Sequence, residues 1–171
     1  MEKEIERLHE LAKGGDADAM YKLSAIYWYG EGIPENKDEA IKWLQQAAEK
    51  GHIEAQLQLA ICYFSGVGVP KDKVEATKRY RDIAIQGESY AQYLLGKYCL
   101  EGGEVYNNAS GAPYSEDGAL EWLYRAAEEG VAAAQHALGV YYEGIKDRIG
   151  AAAWFRKAEA RGIARQKKEG K

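Results

Sequence analysis

Residues Lys22–Pro34 read KLSAIYWYGEGIP, and 36 positions further on Gln58–Pro70 read QLAICYFSGVGVP, with a Leu, a Tyr, two Gly and a Pro held in register. Self-similarity at a period of roughly 20–50 residues marks a stacked-repeat architecture, because one such unit cannot bury its apolar side alone. Counted from Ala19, the equivalent Ala55, Ala91 and Ala134 follow at spacings of 36, 36 and 43, so the chain carries four copies.

Each copy reads as a helical hairpin. Four residues past the anchoring Ala stands a Leu (Leu23, Leu59, Leu95, Leu138), then a small residue (Ser24, Ala60, Gly96, Gly139), and three further on Tyr27, Tyr63, Cys99 or Tyr142. The i, i+4, i+8 spacing puts these on one helix face, and the small residue admits a neighbouring helix closely. A second helix is predicted after a Gly-containing loop, with N-caps at Asn36, Asp72, Ser115 and Asp147, each four residues before Ala40, Ala76, Ala119 or Ala151. Asn36 with Glu39 and Asp72 with Glu75 have the spacing of a reciprocal capping box. The second helices carry Trp43, Arg79, Trp122 and Trp154 and end at Gly51, Gly87, Gly130 and Gly162, where positive φ is wanted.

The first fifteen residues fit an orphan second helix, with Ile5, Leu8, Leu11 and Ala12 on one face. The expected organisation is a single solenoid over 1–162: a capping helix at 1–15, repeats at 16–51, 52–87, 88–130 and 131–162, and a basic tail at 163–171. Copy three holds a long loop, EVYNNASGAPYSED, and copy four shortens the same connection, so variation sits where loops tolerate it.

These residues resemble the Sel-one-like repeat (SLR), a relative of the tetratricopeptide repeat (TPR), carried here by AQLQLAICYFSGVGVP and AIKWLQQAAEKG and running from about residue 4 to 162. Departures are Arg79 for Trp, Cys99 for Tyr, the long loop of copy three and the missing GxGV of copy four. The resemblance implies an all-α, right-handed α-solenoid of stacked helical hairpins whose first helices line a concave face. It also implies an adaptor or scaffold in protein complexes, frequently bacterial, with no family-wide active site.

Composition narrows the function classes. Net charge is -4 with interleaved signs, so no basic stripe suited to nucleic acid is present. No stretch approaches the eighteen apolar residues of a membrane span, and the opening MEKEIERLHELAKGG has no signal-peptide pattern. A cytoplasmic location is expected, a processed periplasmic or secreted form being consistent with the same residues. Cys62 and Cys99 stand one copy apart and are expected to be free thiols. His9, His52 and His136 lack converging partners for a metal, and Gly30-Glu31-Gly32 and Gly66-Val67-Gly68 read as turns, so neither cofactor nor metal is expected. Cysteine-rich relatives of the repeat are linked to β-lactam binding, but none of Ser24, Ser65, Ser89, Ser110 and Ser115 has Lys three residues on, so the nucleophile pair of that chemistry is missing.

Two positions past the packed face, about 200° round the helix, the first helices carry Tyr21, Ala25 and Trp28, then Leu57, Ile61 and Phe64, then Tyr93, Lys97 and Leu100, then His136, Val140 and Glu143. Ala25, Ile61 and Val140 suit packing between copies, whereas the aromatics suit a binding face. The expected site is a concave groove about 40 Å long, at about 10 Å per helix, formed by Tyr21, Lys22, Trp28, Leu57, Phe64, Tyr93, Lys97, Leu100 and His136. The loop residues Tyr106, Asn107, Asn108 and Tyr114 form a secondary candidate, although an insertion without function would look the same. The expected role is a non-enzymatic module, monomeric when free, that binds a peptide or partner protein. An inhibitor or immunity-type protein that neutralises a toxin or effector, and a hydrolase, stay open as alternatives.

Overall fold

In a computed structural model, residues 2–100, 106–107, 112–113 and 116–162 are described. Their helices are α1 (Glu2–Lys13), α2 (Ala17–Tyr29), α3 (Lys37–Glu49), α4 (Ile53–Ser65), α5 (Lys73–Ile85), α6 (Ser89–Leu100), α7 (Glu116–Glu128), α8 (Ala132–Gly144) and α9 (Arg148–Glu159). Copies one to four are thus α2/α3, α4/α5, α6/α7 and α8/α9. Between α6 and α7 the chain adds β1 (Tyr106–Asn107) and β2 (Ala112–Pro113), paired antiparallel with Tyr106 opposite Pro113 and Asn107 opposite Ala112. The repeat pattern gives no sign of this ladder, because two-residue strands have no hydrophobic period to detect.

The chain divides into two compact units, residues 1–79 and 80–171, with the boundary inside α5. In the first unit, α3 packs between α2 and α4, and α1 packs on α2. Ile5, Leu8, Leu23, Ile41, Leu44 and Leu59 form its buried centre, with Ala19, Ala47 and Ala55 where the helices cross. Leu11 departs from expectation. It is 42% exposed while the equivalent Ala47 is buried, because α1 has a helix on one side and α3 has one on both.

In the second unit, α6 packs on α7, α7 on α8 and α8 on α9, around Leu123, Ala126, Ala134 and Leu138. The small residues here are sterically required. A Cβ on Gly96 would stand 2.7 Å from the Ala119 carbonyl oxygen, and one on Gly139 would stand 2.7 Å from the Phe155 ring.

The second-helix caps form at Asn36, Asp72 and Asp147, which accept from the amides of Glu39 (3.0 Å), Glu75 (2.9 Å) and Gly150 (3.0 Å). Ser115 lies outside the described residues. The reciprocal half of the box does not form: Glu39 pairs with Lys42 at 3.0 Å and Glu75 with Arg79 at 2.8 Å, helical-spacing ion pairs that hold each carboxylate along its own helix. Arg79 fills the Trp position by laying its guanidinium 5.2 Å from the centre of the Tyr63 ring.

A further tie recurs between copies. The side-chain amides of Gln56, Gln92 and Gln135 donate to the carbonyls of Ala48, Ala84 and Ala127, at 3.1, 3.1 and 2.9 Å, in the last turn of the preceding second helix. Each adds a second donor to a carbonyl that already accepts from the amide of the helix-ending Gly51, Gly87 or Gly130. Copy one has Met20 in that position.

Candidate functional site

The first helices set the site. Asp16, His52 and Glu88 cap α2, α4 and α6 by accepting from the amides of Ala19 (2.9 Å), Ala55 (3.2 Å) and Ala91 (2.7 Å), whereas Val131 gives α8 no side-chain cap. His52, which the sequence offered only as an isolated histidine, is therefore a cap through Nδ1. Its Nε2 lies 3.4 Å from Asp18 and its ring 4.5 Å from that of Tyr21, so it ties the start of α4 to α2.

Tyr21, Trp28 and Tyr29 of α2 form the aromatic sides of a small, solvent-open cleft. Its deeper lining is apolar and small: Ala25, the buried Ala40 and Leu44 of α3, and the buried Cys62 of α4. Ser24 and the exposed Gln58 complete it. The Ser24 hydroxyl donates to the Tyr21 carbonyl at 2.6 Å. The Lys37 ammonium stands 5.8 Å from the centre of the Trp28 ring and 3.3 Å from Glu35. Burial pushes the Cys62 thiol up from its ordinary pKa, so it lines the cleft as a neutral, weakly nucleophilic group.

The structure thus brings Tyr21 and Trp28 together. Lys22 is exposed and has no counter-ion among the described residues. Leu57 and Phe64 are half-buried and do not line this cleft; the Lys73 ammonium lies 5.6 Å from the Phe64 ring centre, repeating the Lys37–Trp28 pair one copy on. In the second unit Tyr93 and Leu100 pack against the core there, Lys97 stands 5.7 Å from the Tyr98 ring centre, and His136 meets Phe155 edge-on at 5.3 Å. Val140 is 51% exposed, so the packing role expected for it does not hold. Tyr106 and Asn107 form β1, while Asn108 and Tyr114 lie outside the described residues.

Gln58 and Cys62 take the places on α4 where Leu57, Ile61 and Phe64 were expected. Copies stacked head to tail show unlike sides to each other, so the front of α2 meets a different side of α4. Gln58 was legible as the counterpart of Lys22, 36 residues earlier. Both cysteines are free, and burial holds the half-buried Cys99 thiol up at about 12. Among the described residues no three His, Cys, Asp or Glu side chains converge as a metal site, and no helix is long and apolar enough to cross a membrane.

The Sel1 repeat family matches residues 17–52, 53–78, 89–131 and 132–163, and the chain belongs to it. Its fold is all-α, a solenoid of repeats of a family that generally serves protein interaction. A protective antigen of uropathogenic Escherichia coli strains with an SLR fold is 31% identical, with a TM-score of 0.82 over 93% of this chain and 33% of that one. The chain therefore spans about a third of that antigen's length. A Sel1 repeat protein from Oxalobacter formigenes is 36% identical, with a TM-score of 0.68 over 78% of this chain and 95% of that one. An immunity protein from Pseudomonas aeruginosa, 20% identical with a TM-score of 0.57 over 90% of this chain and 56% of that one, shares the fold. No curated protein sequence matches the chain.

Proposed function

We propose that the chain is a non-enzymatic adaptor or scaffold module that holds a peptide or partner-protein segment against its first helices, with the Tyr21–Trp28 cleft as the anchor. The carrying observation is that cleft: three aromatic side chains around a small apolar lining, with exposed polar groups at its edge. Large, rigid aromatic contacts of this kind dominate the energy of protein interfaces. The family's general role in protein interaction supports the reading. Lys22, Leu57 and Phe64 are the proposed flanking contacts of the first unit; in the second unit, taken by itself, Tyr93, Lys97, Leu100 and His136 are the proposed contacts.

Affinity capture from the native host, read by mass spectrometry, tests the reading when run beside the Tyr21→Ala/Trp28→Ala double variant, with helicity checked by circular dichroism. Loss of hot spots worth about 2 kcal/mol or more each weakens capture at least about thirtyfold. Undiminished capture by a folded double variant moves the site elsewhere. Inhibition of a toxin or effector is the second reading, motivated by the immunity protein of the same fold. It calls for nanomolar affinity, whereas an adaptor works at micromolar, so the dissociation constant of the captured partner separates the two.

A further inference from the structure

We infer that the cleft recognises an extended acidic segment of a partner: one leucine-sized apolar side chain enters between Tyr21 and Trp28, and a neighbouring carboxylate meets Lys22. This rests on the interaction-module reading and adds the chemistry of the segment. The apolar requirement follows from the lining, where Ala25, Leu44 and Cys62 offer no charge and little hydrogen bonding. The charge requirement follows from what the cleft's edge leaves unmatched. Lys22 stands three and seven residues before Ala25 and Tyr29, so it shares the cleft's side of α2.

Glu35 lies 3.3 Å from Lys37, and Asp18 lies 3.4 Å from Nε2 of His52, the ring nitrogen left to donate once Nδ1 accepts the Ala55 amide. Lys22 has no such partner among the described residues, which leaves a positive charge beside an apolar cleft. Gln58 adds the third element. Its exposed side-chain amide also has no partner among the described residues, and one carboxamide matches both the N–H and the C=O of an extended main chain. The segment's backbone is thereby fixed while its side chains are read by the cleft and by Lys22.

The test is titration of the ¹⁵N-labelled full chain with the end-blocked peptide Gly-Asp-Leu-Asp-Gly, followed at the Trp28 indole and the Tyr21 and Gln58 amides. Replacing the peptide's Leu by Ala weakens binding about sixtyfold, the worth of three buried carbons. Lys22→Glu weakens the acidic peptide about fivefold and improves its Lys-for-Asp counterpart, the range of an exposed ion pair. Equal or tighter binding of the Lys-for-Asp peptide to the native chain overturns the inference, as does the absence of any shift at about 5 mM peptide. Shifts at the cleft that follow protein concentration alone make a second copy the occupant and overturn it too. In each case the module reading stands or falls separately, on the capture experiment with the native partner.

Discussion

The two units build the same hairpins and finish them differently. In the first, the aromatic near the end of each first helix lies under a lysine from the second helix, Trp28 under Lys37 and Phe64 under Lys73. The equivalent residues of the second unit are Leu100 with Glu116 and Glu143 with Arg148, so the aromatic–ammonium pair is gone. Deeper in, Tyr27 bonds His9 at 3.3 Å, and the equivalent Tyr142 bonds the hydroxyl of Tyr124. Cys99 of copy three and Arg81 of the preceding helix α5 hold the same two positions. Packing fixes the Ala-Leu skeleton of every copy, while the residues at the helix edges are free to diverge, and that divergence puts the aromatic cleft in the first unit.

Substitution of the matched leucines tests this contrast most strongly. Leu123 is wholly buried in the second unit, while its counterpart Leu44 borders the cleft. Leu123→Ala is expected to cost about 4 kcal/mol and Leu44→Ala about 3, because the site beside existing space loses fewer contacts. Equal losses in urea unfolding would show that the cleft is closed in solution. Next in size is Gly139→Ala, where the added methyl meets the Phe155 ring; the cost is about 2 kcal/mol by overpacking. The equivalent Ala60 already carries a Cβ, and an unchanged melting midpoint for the Gly139 variant would mean that α8 and α9 leave room for a methyl group between them.

The smallest effect is alkaline. Cys99 is raised from 9.0 to about 12, first by burial, and Tyr124 from 10.0 to about 12, by burial and then by its bond to Tyr142. Both groups keep their proton in the folded chain at a pH where the unfolded chain releases it. Their contribution is therefore complete below about pH 9 and is lost as pH climbs toward 12. Cys99→Ala/Tyr124→Phe should flatten the fall of the urea midpoint above about pH 9 more than Cys62→Ala does. The reverse order would assign the alkaline sensitivity to the first unit.

Much of the fold was legible because its signals are local. The caps at Asn36, Asp72 and Asp147 and the glycines at helix ends, such as Gly51 (φ 86°) and Gly130 (φ 89°), obey rules that act within a turn. The Gln56, Gln92 and Gln135 ties were written in the sequence as a recurring Ala-Gln and still missed, since their bonds reach back eight residues across a turn. His52 as a cap depends on ring orientation, which spacing does not encode. The cleft was half legible: the α2 stripe of Tyr21 and Trp28 could be read, but the facing Gln58 and Cys62 follow from how one copy is turned against the next.

Hydrogen exchange on the full chain, with and without its captured partner, tests the central claim most directly. Slowed amides over α2 from Tyr21 to Tyr29 and around Gln58 in α4 are the predicted footprint. Protection confined to residues 106–113, with α2 and α4 unchanged, would contradict it.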